Sequence, residues 1–227
     1  MKIQYFGHSC FMLYFAGKKI LLDPFISGNP KAQHISIDAL NPDYIFLSHG
    51  HMDHLKDLEE IAKASQAPVI TSFDIMTNFL EPKGIGGHGM NIGGKLSLEG
   101  FTFKIVTAVH SSMLPDQTYG GSPMGFVFWN EETCFYYSGD TALTLDMKLI
   151  PLTCPKLDFA ILSMGDYFTM GYEDALIAAD FIQCDKIVGC HYDSFPPIQI
   201  DQQAAKAAFR SKGKTLNLPE VGETFEV

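Results

Sequence analysis

One seven-residue stretch, Ser48-His49-Gly50-His51-Met52-Asp53-His54, constrains this chain more than any other. It crowds three histidines and an aspartate into one short turn. Ahead of it, Asp43-Tyr44-Ile45-Phe46-Leu47 is a short apolar run that reads as a buried strand. Behind it, Leu55, Leu58, Ile61 and Ala62 recur at helical spacing. The cluster is therefore expected where a strand ends and a helix begins, a place where Asp53 has an ordinary alternative role as N-cap. Neutral imidazole and carboxylate are the natural ligands of zinc and similar divalent ions. Histidines at i and i+4 share one helical face, but positions 49, 51 and 54 with Asp53 do not. They suit a loop whose first two histidines point one way and whose last two ligands point another. Gly50, without a side chain, lets the backbone fold tightly there.

The stretch resembles the His-x-His-x-Asp-His signature of the metallo-β-lactamase superfamily. Further motifs follow in that family's order: Val109-His110-Ser111, then Ser138-Gly139-Asp140-Thr141, then Gly189-Cys190-His191-Tyr192. The resemblance covers nearly the whole chain and implies an α+β fold, a four-layer αββα sandwich, in a single domain spanning residues 1–227. The alternation of strand and helix patterns alone supports only a mixed α/β domain with helices outside sheets.

The resemblance also implies a ligand set. His49, His51 and His110 would hold one divalent ion, and Asp53, His54 and His191 a second. Asp140 and a hydroxide would bridge them. Zinc is the expected metal, with manganese or iron as alternatives. The second signature position lacks the glutamate of flavodiiron oxygen reductases, which points to hydrolytic rather than redox chemistry. The expected activity is hydrolysis of a small-molecule lactone, ester, amide or phosphoester. Lactone stands first because the resemblance includes a sugar-phosphate lactonase-like branch. Asp53 would hold its ion and orient the nucleophile. Two other readings stay open: a phosphodiesterase or nuclease of the same superfamily, and a non-catalytic metal-binding scaffold.

Charge bears on that choice. The net charge is −10 and Arg210 is the only arginine. Arginine is the favoured bidentate reader of phosphate and guanine, so nucleic acid is not an expected partner. A small-molecule substrate is, and self-association is compatible with the sequence. The five cysteines, at 10, 134, 154, 184 and 190, form no CxxC pair and read as buried or free thiols of a reducing compartment. No signal peptide or membrane-length apolar run is evident, so a cytoplasmic location is expected.

Three strands are expected at the start, over 2–6, 11–15 and 19–22. Between the first two lies Gly7-His8-Ser9. His8 is either a turn residue or, by resemblance to small metal-dependent hydrolases of this superfamily that open with a similar turn, a site residue able to protonate a leaving group. Asp23 is either a turn cap or a carboxylate that orients a liganding histidine. Asp166, in a Gly-Asp-Tyr-Phe-Thr-Met-Gly loop similar to the same branch, either faces the site or shapes its own turn. Residues 26–42 and 111–123 read as long loops, the second a candidate substrate wall. A helix is expected over 143–149 and an amphipathic one over 172–182. His34 and His88 are expected outside the site.

Overall fold

The computed structural model describes all 227 residues. Its strands in chain order are β1 (Lys2–Gly7), β2 (Cys10–Phe15), β3 (Lys18–Leu22), β4 (Tyr44–Phe46), β5 (Val69–Ser72), β6 (Gly87–Met90) and β7 (Lys95–Leu98). They continue with β8 (Phe101–Thr107), β9 (Met124–Trp129), β10 (Cys134–Tyr137), β11 (Phe159–Ser163), β12 (Lys186–Cys190), β13 (Thr215–Asn217) and β14 (Thr224–Glu226). The helices are α1 (Met52–Leu55), α2 (Leu58–Ser65), α3 (Phe73–Ile75), α4 (Ile150–Thr153), α5 (Tyr172–Phe181) and α6 (Gln202–Ser211).

The chain divides into two compact units. The first comprises Met1–Asn91, Ser111–Pro123 and Glu220–Val227. Its seven-stranded mixed sheet has the order β14-β1-β2-β3-β4-β5-β6. β1 to β3 form an antiparallel meander, whereas β3 to β6 run parallel. Two features put the chemistry at one end of this sheet. The β1–β2 turn lies at the end where β3 finishes, because Phe11 pairs with Leu22. Leu22 in turn pairs with Phe46 in parallel register. His8, Asp23 and Ser48 are thus delivered to one end of the sheet by register alone. Leu58, Ile61 and Ala62 of α2 pack with Leu21, Ile45 and Val69 in the core of this unit.

The second unit comprises Ile92–His110 and Met124–Pro219, with a sheet of order β13-β12-β11-β10-β9-β8-β7. β10 to β13 run parallel. β10 and β11 are buried at every residue, as expected of parallel strands covered on both faces. Phe135 stacks on Phe128 and Phe159, with centroids 4.9 and 5.0 Å away. Val127, Tyr136, Leu162 and Ile187 pack with Ala175 of α5 and Phe209 of α6. The first turn of α6 is capped by Asp201, which accepts from the amides of Gln203 and Ala204, a type of cap worth about 1 kcal/mol. His110, Asp140 and His191 follow β8, β10 and β12, three strands of common direction, so this sheet too gathers its candidate residues at one end.

Several elements differ from the sequence expectation. The helix after the histidine cluster starts at Met52 and breaks before Leu58. The break has a cause: Asp57 turns its carboxylate to the amides of Ile26 and Ser27 and the Ser27 hydroxyl instead of capping α2. The segment expected as a helix over 143–149 is a 3-10 turn at Leu145–Leu149 leading into α4, with Pro151 in the first turn of α4. α5 buries Ala175, Ala178 and Ala179 while leaving Ile177 exposed, so it is less amphipathic than expected. β6 was not expected, because its glycines argue against a strand. A Cβ at Gly87 would sit 1.9 Å from the Val69 carbonyl oxygen, so only glycine lets β6 approach β5 there. β13 was likewise not foreseen.

Candidate metal centre

In the first unit the cluster is ordered by one buried carboxylate. Asp23 follows β3 and has φ of 39°, in the left-handed region. Its Oδ1 accepts from the Ser48 amide at 2.7 Å. Its Oδ2 accepts from the Ser48 hydroxyl at 2.6 Å and lies 2.7 Å from His54 Nδ1. The Ser48 Oγ lies 2.9 Å from His49 Nδ1. Since the Ser48 proton goes to Asp23, His49 Nδ1 must be the donor to Ser48 and His54 Nδ1 the donor to Asp23. Both rings then carry their lone pair on Nε2, the state a metal ligand needs. Asp23, His49 and His54 bring ligand-capable atoms within 4.8 Å of one another. Asp23 already accepts three hydrogen bonds, so its part is to orient the histidines.

His51 is held from a third side. Its Nε2 lies 3.2 Å from Ser111 Oγ and its Nδ1 3.0 Å from His49 Nε2. Tetrahedral nitrogen ligands of zinc, with bonds near 2.0–2.1 Å, would sit roughly 3.3–3.4 Å apart, close to this separation. The donor chemistry and its preset protonation fit a divalent ion. Asp53 lies in the first turn of α1, whose N-cap is His51, so Asp53 is not the helix cap. Its Oδ2 is 3.1 Å from His8 Nε2. His8 is fully buried, has φ of 59°, and packs edge-on to Phe25 and His54. His8, Asp53 and His54 also bring ligand-capable atoms within 4.8 Å.

Gly50 is needed for a reason other than folding around an ion. A Cβ there would meet Leu114 at 3.2 Å and Ser112 Oγ at 3.3 Å. The 111–123 loop closes directly on it: Ser112 Oγ accepts from the Gly50 amide and donates to the Gly120 carbonyl. The loop buries Leu114 and exposes Met113 and Tyr119, which face each other across a short bridge.

In the second unit, Asp140 Oδ2 is 2.9 Å from His191 Nε2 and 3.7 Å from His110 Nε2. Thr141 ties the two loops together, its Oγ1 accepting from the Val109 amide while Val109 accepts from the Ala142 amide. His191 has φ of 55°. Asp166 is exposed, and its amide and carbonyl close its own turn with Met170 and Thr169, so it serves the turn. His34 and His88 are exposed. Four of the cysteines are buried and Cys154 is half-buried, and none is in a disulfide; burial pushes the Cys134 thiol up to about 12. No helix is long and apolar enough to cross a membrane.

The sequence reading did not single out Ser48, Ser111, Thr141 or Asp57. The one available signal was adjacency: Ser48, Ser111 and Thr141 each neighbour a candidate ligand.

A family model described as a beta-lactamase superfamily domain matches residues 2–191. A UPF0173 metal-dependent hydrolase of Flavobacterium johnsoniae is 48% identical over 227 residues, covering 100% of both chains. This chain belongs to the metallo-β-lactamase superfamily. Within the superfamily it groups with the UPF0173 metal-dependent hydrolases. Igni18, a metallo hydrolase of Ignicoccus hospitalis, superposes with a TM-score of 0.88 at 32% identity, covering 100% of this chain and 98% of that one. An isothiocyanate hydrolase from Delia radicum gut bacteria, 21% identical with a TM-score of 0.79 over 100% and 99% of the two chains, shares the fold. The fold is the α+β fold of the superfamily, two mixed sheets with helices, as expected.

Proposed function

We propose that this protein is a binuclear hydrolase of small-molecule lactones, esters, amides or phosphoesters, with zinc as its metal. The proposed ligands are His49, His51, Asp53, His54, His110, Asp140 and His191. The observation that carries the reading is the Asp23–Ser48 network, which holds His49 and His54 as lone-pair donors on Nε2. A polar turn without a metal has no need to bury a carboxylate for that purpose, given what burying a charge costs. Divalent ions in such a set supply Lewis acidity and bring the pKa of a water toward neutrality.

The chain's own groups do the rest. Asp23 keeps the imidazoles in one tautomer and orientation. Asp53 orients the nucleophile. His8 Nε2 holds a proton against Asp53 Oδ2 and passes it to the leaving group. The Asp53 side chain is 33% exposed, so the fully buried His8 can exchange that proton with solvent through it. We place the protein in the cytoplasm, where cysteines that form no disulfide stay reduced.

The test is elemental analysis of protein purified without chelator, together with turnover on a panel of lactones, esters, amides and phosphodiesters. A metal-to-chain ratio near two and chelator-sensitive hydrolysis are expected. Full activity without metal would end the reading.

A further inference from the structure

A cleft of ≈ 600 Å³ opens beside α1 in the first unit, within the usual size of a small-molecule site, roughly 300–1,000 Å³. Met52, Leu55, Lys56 and Glu59 line one side of it. Met52, Leu55 and Lys56 stand at i, i+3 and i+4 on one face of α1 and its C-cap, and Glu59 comes from the first turn of α2. Phe79 and Pro82 form a second wall, and Pro115 of the 111–123 loop a third. Half of the lining is thus apolar, and the rest is Asn78 with four charged groups, Lys56, Glu59, Lys83 and Asp116.

Ion pairing among them leaves Lys56 and Asp116 without a charged partner. Lys83 Nζ lies 2.8 Å from Glu59 Oε2 and 3.6 Å above the Phe79 ring. Glu59 is shared with Lys63, also at 2.8 Å, and the two lysines hold its carboxyl at about 2. Asp116 accepts from the Thr118 hydroxyl and amide, which lower its pKa. Lys56 has neither an ion-pair nor a side-chain hydrogen-bond partner, and it is exposed toward the cleft. It lies three residues beyond Asp53, and side chains three apart on a helix have Cβ atoms about 5–6 Å from each other. The cleft therefore begins one turn of helix from Asp53, one of the candidate metal ligands.

We propose that this cleft binds the non-reacting end of the substrate, a short alkyl or aryl segment ending in a carboxylate, with Lys56 as its counter-ion. Lys56 offers one ammonium while Asp116 puts a negative charge in the same lining, so a monoanionic carboxylate is favoured over a dianionic phosphate. The apolar walls take the segment between that carboxylate and the reacting bond. The substrate is then an ester, lactone or amide with a second, free acid group. This rests on the hydrolase reading for the word substrate, but the binding site itself does not.

The experiment titrates the full-length, metal-containing protein with 4-phenylbutyrate and, separately, 4-phenylbutan-1-ol. Amide chemical shifts of Met52, Lys56, Phe79 and Lys83 are the readout. The acid should bind about fivefold more tightly than the alcohol, the upper range for a partly exposed ion pair. In Lys56→Gln that advantage should vanish. Equal affinities in the wild type overturn the proposal, as does an advantage that survives in Lys56→Gln, which would send the carboxylate to the metals. Absence of shifts in these four amides up to about 10 mM ligand also overturns it. A parallel comparison of mono-4-nitrophenyl adipate with 4-nitrophenyl hexanoate separates the two readings. Acid binding without hydrolysis of either ester leaves the site standing and removes esters from the hydrolase reading.

Discussion

Asp23 Oδ2 accepts the Nδ1 proton of His54 at 2.7 Å, and both side chains are fully buried. This contact sets which ring nitrogen of His54 is left to bind metal. It makes Asp23 a positioning residue for two histidines at once, through His54 directly and through Ser48 for His49.

Asp23→Asn should therefore lower metal affinity by about 10–100-fold, the usual cost of losing such a partner. The amide can place an N–H against His54 Nδ1 and turn the ring to the wrong tautomer. Chelator competition measures the loss. Asp23→Ala is less informative, because it strands the buried Ser48 amide at a cost of about 1–3 kcal/mol. Wild-type metal affinity in Asp23→Asn would show that the tautomers are set elsewhere.

His8 is tested by His8→Asn, since Asn tolerates the left-handed backbone at this position. If His8 protonates the leaving group, the variant keeps its metals and loses kcat by about 10²–10⁴-fold. The loss should be large for alkyl esters and small for nitrophenyl esters, whose leaving group departs without a proton. An equal loss on both removes His8 from proton transfer and leaves it as a support for Asp53.

Asp140→Ala should release bound metal and abolish turnover while the chain stays folded. Its Oδ2 has two imidazoles within 3.7 Å, those of His191 and His110, so two candidate ligands lose their common neighbour. Metal content by elemental analysis and thermal unfolding by circular dichroism give the two readouts. Unchanged metal content and rate would reduce Asp140 to a turn residue.

Glu59 makes a prediction about pH. Lys63 and Lys83 lower its carboxyl from the ordinary 4.5 to about 2. A carboxyl with a depressed folded pKa adds stability that is present above its unfolded value and is lost as pH falls through the folded value. Glu59→Gln should thus be less stable than wild type at pH 7 and equal to it below pH 2. The side chain is 43% exposed, so the difference at pH 7 should be small, about 0.3–1 kcal/mol. Denaturant unfolding at the two pH values checks the sign, and the ¹³C carboxyl shift of Glu59 checks the midpoint. A midpoint near 4.5 would mean that the two lysines are solvated rather than paired.

The short apolar strands were legible because their sequences carry their own burial. Tyr44–Phe46 and Phe159–Ser163 read as strands from the apolar run alone. β6 was not legible, because its glycines are explained only by the carbonyl of Val69, which comes from a different strand. The break before α2 was hidden for the same reason: Asp57 is committed to Ile26 and Ser27, about thirty positions earlier.

By itself, the sequence determined the inventory of donors, their order along the chain and the family to which that order belongs. Residue type and spacing carry this information, because imidazole and carboxylate have the same ligand chemistry wherever they are placed. Tertiary structure decided which atom of each residue does what. It made Asp23 an orienter and joined Ser48 to His49 and Ser111 to His51. It also set His8 against Asp53 and left Lys56 without an ion-pair partner at the side of a cleft. These roles are hydrogen bonds and ion pairs made mostly between distant positions. They depend on strand register and on loop closure, which local sequence does not encode.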